Sequence, residues 1–349
     1  MSQPFHIHLR KKFNRTVQNL LKKIFIKEAK REAIKANNIQ NILIVRVNYR
    51  IGNIIFNTPL INALSQTFPD AKIDMMIGAP FISPLIEGMP NIRKVYSFNR
   101  ELLKHPLKIL SLRRQINRNN YDIMLFPSPL STSDGLMSWV LKSTYKIGFY
   151  DKDSFKSLTH QIDPSKEIVH EALKPLKLME LLGIKNIQKF DQFLNINLTK
   201  EERENPKFQN PSKTIGIFRD ARGKKKIEDS WWQELIDELK ELDSSLNFLD
   251  ILDPNNQKPL NQTIEYYSEK NLRAVATKIS NLTAFICADT GPMHLASSTL
   301  TPTIALFKST SPALYGTLGE DDLSLIIQQK RVKEIAHEII EHLNSTHHQ

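Results

Sequence analysis

Three stretches of this chain carry side chains whose types and spacing suit the handling of a phosphorylated ligand. The first is the hexapeptide Asp289-Thr290-Gly291-Pro292-Met293-His294. It follows Thr283 to Ala288, a short apolar run rich in strand formers. Asp289 and Thr290 are good helix N-caps, Gly291 lets a ligand or second backbone come close, and Pro292 suits a first helical turn. A helix from Met293 to Thr299 then leads through Pro302 into a second apolar strand, Thr303 to Phe307. A helix start at the carboxyl end of a buried parallel strand turns free N–H groups outward, where open α/β sheets bind phosphates and nucleotides. Taken singly, Asp289 reads equally as a plain cap and His294 as a half-buried core histidine. The second stretch is Arg219-Asp220-Ala221-Arg222-Gly223-Lys224-Lys225-Lys226, a basic loop directly after the strand Thr214 to Phe218. The third is Val47-Asn48-Tyr49-Arg50-Ile51-Gly52-Asn53, after the strand Ile42 to Val47. Asn53 there is as good an N-cap as Asp.

The elements that must hold these stretches alternate along the chain. After Ile42 to Val47 the patterning predicts a helix from Asn53 to Phe68 and a strand from Ala71 to Ile77. A short helix Phe81 to Glu87 and a strand Lys94 to Phe98 follow, then a helix Leu102 to Asn117 and a strand Tyr121 to Phe126. A helix Asp134 to Leu141 and a strand Lys146 to Phe149 complete the run. A helix from about Ile168 to Leu182 leads into a polar, proline-containing stretch with a short strand, Phe193 to Leu198. The pattern restarts with Thr214 to Phe218, a helix Trp231 to Leu242, a strand Leu246 to Leu252 and a helix Asn271 to Ile279. It ends with a strand Leu323 to Ile327 and a helix Val332 to Leu343. Alternation at this spacing implies parallel doubly wound sheets. The expected organisation is a basic helical extension over 1–38, a Rossmann-like domain over 39–185 and a linker over 186–212. A second Rossmann-like domain spans 213–330 and a C-terminal helix 331–349.

The hexapeptide at 289–294, taken with Pro302-Thr303-Ile304-Ala305-Leu306-Phe307, resembles the C-terminal domain of glycosyltransferase family 9, the ADP-heptose:lipopolysaccharide heptosyltransferases. The resemblance implies a GT-B fold, α/β with two Rossmann-like domains facing a central cleft, and adds nothing about the N-terminal basic helix. It implies an inverting transfer of heptose from ADP-L-glycero-D-manno-heptose to the inner core of lipopolysaccharide or lipooligosaccharide, on Kdo-lipid A or an extended core. In that reading the second domain holds the donor through Arg219, Lys224, Lys225, Asp253, Asp289, Thr290, Gly291, Pro292, Met293 and His294. Lys225 matches the family's lysine and stabilises charge on the leaving diphosphate. Asp289 binds sugar hydroxyls, His294 supports the diphosphate or its loop, and Asp253 lies where ribose contacts are made. The segment Ser309 to Gly319 is a cleft loop, with Tyr315 a ligand contact or a packing residue. The first domain holds the acceptor, with Arg46 and Arg50 as contacts. Asn53 stands where the family has the Asp that serves as general base. A neutral amide cannot take up the proton of the attacking hydroxyl. Another acid, with Asp289 a candidate, then serves as base, or Asn53 only orients the acceptor, or transfer activity is lost. The alternatives are a transferase of the same fold with another nucleotide sugar or acceptor, or a non-catalytic binder of sugar nucleotides or glycans.

Composition bounds the rest. The 349 residues suggest two domains, and 40% hydrophobic with 24% charged residues allows each a core. The single cysteine, Cys287, lies in an apolar strand and reads as a small core residue. The net charge of +11 is uneven, because residues 1–38 hold ten Lys or Arg against two Glu. Between 10 and 36 the basic residues share a helical pattern with Phe13, Val17, Leu20, Leu21 and Ile24. That suits either an anionic membrane surface or a helix packed on the domain behind it. No nucleic-acid module, Walker loop, dinucleotide fingerprint, zinc spacing or Asp-x-Asp metal clamp occurs, and Asp321 and Asp322 read as solvent-facing. The expectation is therefore no metal site and no required cofactor, with magnesium allowed but not implied. The expected location is the cytoplasm, peripheral on the inner membrane of a Gram-negative bacterium.

Overall fold

The structure is a computed structural model that describes residues 29–34, 38–99, 101–102, 105–150, 157–164, 170–255 and 258–346. Two parallel six-stranded sheets form its frame. The first contains β1 (Asn41–Arg46), β2 (Lys72–Ile77), β3 (Ile92–Ser97), β4 (Tyr121–Phe126), β5 (Ser143–Phe149) and β6 (His160–Ile162), in the order β3-β2-β1-β4-β5-β6. The second contains β7 (Thr214–Phe218), β8 (Asn247–Leu252), β9 (Glu265–Ser268), β10 (Ala284–Ala288), β11 (Thr303–Phe307) and β12 (Leu323–Ile326), in the order β12-β11-β10-β7-β8-β9. The central strands are mostly apolar because helices cover both faces of such a sheet. In β1, Ile42 and Ile44 point into one cluster and Leu43 and Val45 into another, the period-two alternation of a strand buried on both sides.

The helices are α1 (Ile51–Ile55), α2 (Thr58–Thr67), α3 (Ser83–Glu87), α4 (Pro106–Asn117), α5 (Thr132–Val140), α6 (Lys200–Arg203), α7 (Asp229–Leu242), α8 (Leu272–Ile279), α9 (Gly291–Ser297), α10 (Pro312–Tyr315) and α11 (Val332–Thr346). One core cluster joins the halves. It takes Ile42, Ile54 and Leu60 from the first and Leu249, Ile279, Phe285 and Met293 from the second. This is the GT-B arrangement.

Several sequence expectations need correction. The helix over 53–68 is two helices, divided by a turn at Phe56 and Asn57 where ψ rises to −8° and −4°, with Pro59 in the first turn of α2. The stretch 174–182 is a 3₁₀ helix ended by Gly183 at φ 85°, and 170–173 are turns. Phe193 to Leu198 is not a strand. Leu194 and Ile196 are buried there, but Ile196 N donates to Ser298 O at 3.1 Å and its carbonyl accepts from the Arg273 guanidinium, neither of them a strand partner. Strands β6 and β9 were not expected. The basic helix over 10–36 falls mostly outside the described residues. Where 29–34 are described they are not helical, since Lys30 forms a parallel bridge with His160.

Candidate active site

In the first sheet the strand order reverses at β1, which has β2 on one side and β4 on the other; in the second it reverses at β7, between β8 and β10. Ligands of open parallel sheets lie beyond the carboxyl ends of the strands at such a reversal. The residues leaving β1, β4, β7 and β10 are those with the best address for chemistry. They include Arg46, the turn 47–53, Ser128, Lys225 and Asp289.

The two crevices meet. Helix α1, which leaves β1, packs on α9, which leaves β10. A Cβ on Gly52 would stand 2.5 Å from His294 Cδ2, and one on Gly291 would stand 3.2 Å from Ile51 Cβ. The rings of Phe56 and His294 meet edge to face at 4.5 Å. His170, from the chain between the sheets, stands 5.9 Å from Phe56. Its Nδ1 accepts from Ala172 N, so Nε2 carries the proton and donates to Gly316 O at 2.9 Å. That bond ties the first half to the loop after β11.

On the second sheet, Lys225 closes a short 3₁₀ turn, Gly223–Lys225, in which Gly223 has φ 61°. Its ammonium donates to Asp289 Oδ2 at 2.5 Å, and the Thr310 hydroxyl donates to the same oxygen. Side-chain exposure is 5% for Asp289 and 35% for Lys225, so the pair is buried at the acid and open at the amine. Lys224, Lys226 and Lys308 are exposed around it, and Lys308 Nζ donates to Lys226 O. Thr290 occupies the N-cap position of α9, but its hydroxyl turns back to Ala288 O, so no side chain caps the helix. The expected cap role of Asp289 is thus replaced by an ion pair.

His294 lies behind this pair, buried, with Nδ1 lacking a hydrogen-bond partner. Burial pushes its pKa down to about 3, against the pull of Asp289, and the imidazole is neutral. On the first sheet, Arg46 Nη1 donates to Ser128 Oγ at 2.5 Å. Burial lowers the Arg46 pKa, opposed by Asp134 and Glu171. The buried Asp134 carboxylate accepts from Val47 N, Ser131 N and Ser131 Oγ, and burial raises its pKa. Glu171 is 36% exposed and pairs with Lys174 at 2.5 Å.

The sequence profile of glycosyltransferase family 9 (heptosyltransferase) matches residues 109–342, about two thirds of the chain. The chain belongs to that family. Lipopolysaccharide heptosyltransferase 3 of Escherichia coli (strain K12) is 32% identical over 77 residues, 21% of this chain and 22% of that protein. The matched stretch thus spans about a fifth of the length of this curated relative. Among solved structures, a glycosyltransferase family 9 protein from Veillonella parvula superposes with a TM-score of 0.75 at 18% identity, over 90% of this chain and 98% of that one. E. coli heptosyltransferase WaaC with ADP gives a TM-score of 0.72 at 17% identity, over 87% and 100% of the two chains. At that identity the likeness is one of fold.

Not every expected contact residue of this family 9 chain faces the cleft. Lys225, Asp289, Thr290, Gly291 and Pro292 come together at the reversal of the second sheet, with Lys224 on the rim. Arg219 does not join them. Its side chain is 2% exposed and bonds Asp250, Asp229 and Lys258 O, so the guanidinium is consumed by a buried network. Met293 is fully buried in the core. Asp253 follows β8, one strand away, and accepts from Asn255 N at 2.8 Å. Tyr315 packs against the core. Asp322 is not solvent-facing, because its carboxylate accepts from Ser297 Oγ, Gly319 N and Thr303 N. Asn53 is the third residue of α1 and not its cap, a place held by the exposed Arg50. Only its backbone carbonyl is engaged among the described residues, by Asn57 Nδ2 at 2.9 Å. Sequence reasoning missed Thr310, Ser128, Asp134, Glu171 and His170. Asp134 did leave a signal, since Ser131 three residues earlier is a capping-box pattern after a strand. No cluster of three or more His, Cys, Asp or Glu suited to a metal occurs among the described residues.

Proposed function

We propose that this family 9 protein transfers heptose from ADP-L-glycero-D-manno-heptose to an inner-core lipopolysaccharide acceptor, with inversion at the anomeric carbon. The observation that carries the reading is the Lys225–Asp289 pair. These residues are far apart in sequence and meet at the strand reversal of the second sheet, with the ammonium open to solvent. In the reaction the acceptor oxygen bonds to the anomeric carbon as the bond to the phosphate oxygen breaks, and ADP leaves. Lys225 neutralises the charge that grows on the leaving diphosphate, and Asp289 with Thr310 holds the amine in place beforehand. Exposed Lys224 and Lys226 draw the anionic donor in. Arg46, fixed by Ser128 and facing Asp134 and Glu171, marks the acceptor side.

The acceptor proton needs a base, and the Asn53 amide supplies none. Glu171 is the half-exposed acid on that side, whereas Asp134 is enclosed by three donors and Asp289 by Lys225 and Thr310. We assign the proton to Glu171, with Asn53 orienting the acceptor hydroxyl. No resident cofactor enters this scheme, and any magnesium would arrive on the diphosphate.

Calorimetric titration of ADP tests the donor half. Lys225→Ala is expected to weaken ADP binding by about tenfold to a hundredfold, the worth of a charge-assisted hydrogen bond. Unchanged affinity in both Lys225→Ala and Asp289→Ala would remove the donor site from this crevice. The second reading, a binding protein without turnover, is favoured by Asn53. It gains if wild type binds ADP-heptose but leaves a heptose-deficient core unglycosylated.

A further inference from the structure

Helix α4 has two apolar stripes where one would serve the core. Ile109, Leu112 and Ile116 turn inward and pack on the cluster under the first sheet. Leu107, Leu110 and Arg114 repeat at the same helical spacing on the other side and stand in solvent. Leu107 is 80% exposed and Leu110 45%. Helix α5 lies alongside, because Arg113 Nε donates to Val140 O and Asn117 Oδ1 accepts from Lys142 N. Its Trp139 is 50% exposed. The charge along this helix is of one sign. Lys108, Arg113 and Arg114 lie in it and Arg118 follows it, with no acid between Pro106 and Arg118. Lys108, Arg114, Arg118 and Lys142 are exposed.

We propose that this outer face of α4, with Trp139 of α5, docks on an anionic lipid bilayer. Large apolar side chains ringed by Lys and Arg match what the interface of an anionic membrane offers, an apolar interior under a negative surface. Trp suits the headgroup level because its ring is large and amphipathic. A protein partner would need acidic complementarity along the whole stripe, whereas a bilayer supplies it everywhere. The placement serves catalysis. Helix α4 follows the carboxyl end of β3, the sheet edge that also carries Arg46 and the 47–53 turn. Phe81, 52% exposed in the turn after β2, stands on the same edge. The acceptor half of the cleft is thereby held at the membrane surface, where a lipid-anchored acceptor is found. The catalytic meaning rests on the function proposed above; the docking itself does not.

The test is sedimentation of the full chain with vesicles of phosphatidylcholine containing phosphatidylglycerol, and with vesicles of phosphatidylcholine alone. Wild type is expected to bind the anionic vesicles in a salt-sensitive manner and the neutral ones weakly. The double variant Leu107→Asp with Leu110→Asp is expected to bind at least about tenfold more weakly, losing apolar insertion and adding repulsion. Its circular dichroism and its ADP affinity should match wild type, since both side chains lie outside the core and the donor site. Undiminished binding by the double variant would place the membrane contact in the basic N-terminal segment and overturn the proposal. So would failure of wild type to bind, or a concentration-dependent dimer of wild type that the substitutions abolish. A wild type that docks on vesicles but fails to bind ADP would instead defeat the proposed function and leave this face standing.

Discussion

Asn53 is the residue at which the proposed chemistry meets its sharpest test. It sits at the third position of α1 with its side chain uncommitted, at the carboxyl edge of the first sheet, where the proposed function puts the acceptor. An Asp there would add a carboxylate near a helix start, where negative charge is favoured. Asn53→Asp is therefore expected to leave folding intact and to raise turnover of ADP-heptose. If wild type already turns over through Glu171, Glu171→Gln should lower the rate by about a hundredfold or more, within the usual range for a general base, and Asn53→Asp should restore part of it. A full rate in Glu171→Gln would put the base elsewhere. Gly52, one residue before, acts through shape. Its missing side chain is the space that His294 fills, so Gly52→Ala forces an atom to within 2.5 Å of an imidazole carbon. Overpacking of this kind costs about 1–3 kcal/mol, and urea denaturation should show it. Unchanged stability would mean that α1 and α9 separate freely.

At the scale of elements, the buried strands of the two sheets were legible because central strands of a parallel sheet are near-continuous apolar runs bounded by turns. Strands β6 and β9 were not legible. His160–Ile162 is three residues long and Glu265–Ser268 is mostly exposed, so neither has a hydrophobic signature. The meeting of Lys225 and Asp289 was foreshadowed in the sequence, because Asp289 directly follows β10 and Lys225 lies in the basic loop after β7. Thr310 and Glu171 were not, since their neighbours are set by packing between distant loops. The connection around 194–197 misled for a related reason. Leu194 and Ile196 alternate with polar residues as in a strand, yet the carbonyls of Ile196 and Asn197 are held by a cation and not by a neighbouring strand. Arg273 of α8 donates to both oxygens of Glu202, to Ile196 O and Asn197 O, and to Leu85 O at the end of α3. Its guanidinium lies over Gly88, where a Cβ would stand 2.3 Å from Cζ. One side chain thus joins both halves and their connection. Arg273→Lys keeps the charge but replaces the planar five-donor fork by a compact ammonium that cannot span all these acceptors. It should lose about 1.5–3 kcal/mol in urea denaturation, because several carbonyls lose their donor. A variant as stable as wild type would show that the clasp is incidental.

For the whole molecule, the three histidines perturbed by burial among the described residues set the response to acid. His294 is pushed down to about 3, and His170 and His160 are also lowered, in each case chiefly by burial. In the unfolded chain each would titrate near 6.5. As the pH falls below that value the unfolded chain takes up protons that the folded chain refuses, so stability drops with pH. The buried acids Asp134, Asp250 and Asp322 are raised by burial and act in the opposite sense, but only as the pH nears the carboxylate range. The histidines therefore govern the interval from about pH 7 to pH 5, where the urea midpoint should fall. His294 gives the cleanest check, because its Nδ1 has no hydrogen bond to lose and its ring rests on Phe56. His294→Leu exchanges one apolar-facing group for another, at a cost below about 1.5 kcal/mol near neutrality. It removes one of the three proton sites, so its midpoint should fall less steeply between pH 7 and pH 5 than that of wild type. The same socket joins α1 to α9, and protonating His294 there requires the two helices to part. Acid is therefore expected to open the cleft before it unfolds either sheet, read as a loss of ADP affinity at a pH where circular dichroism is still native. A variant with the full wild-type slope, or ADP affinity that persists until the sheets melt, would place the acid response outside this contact.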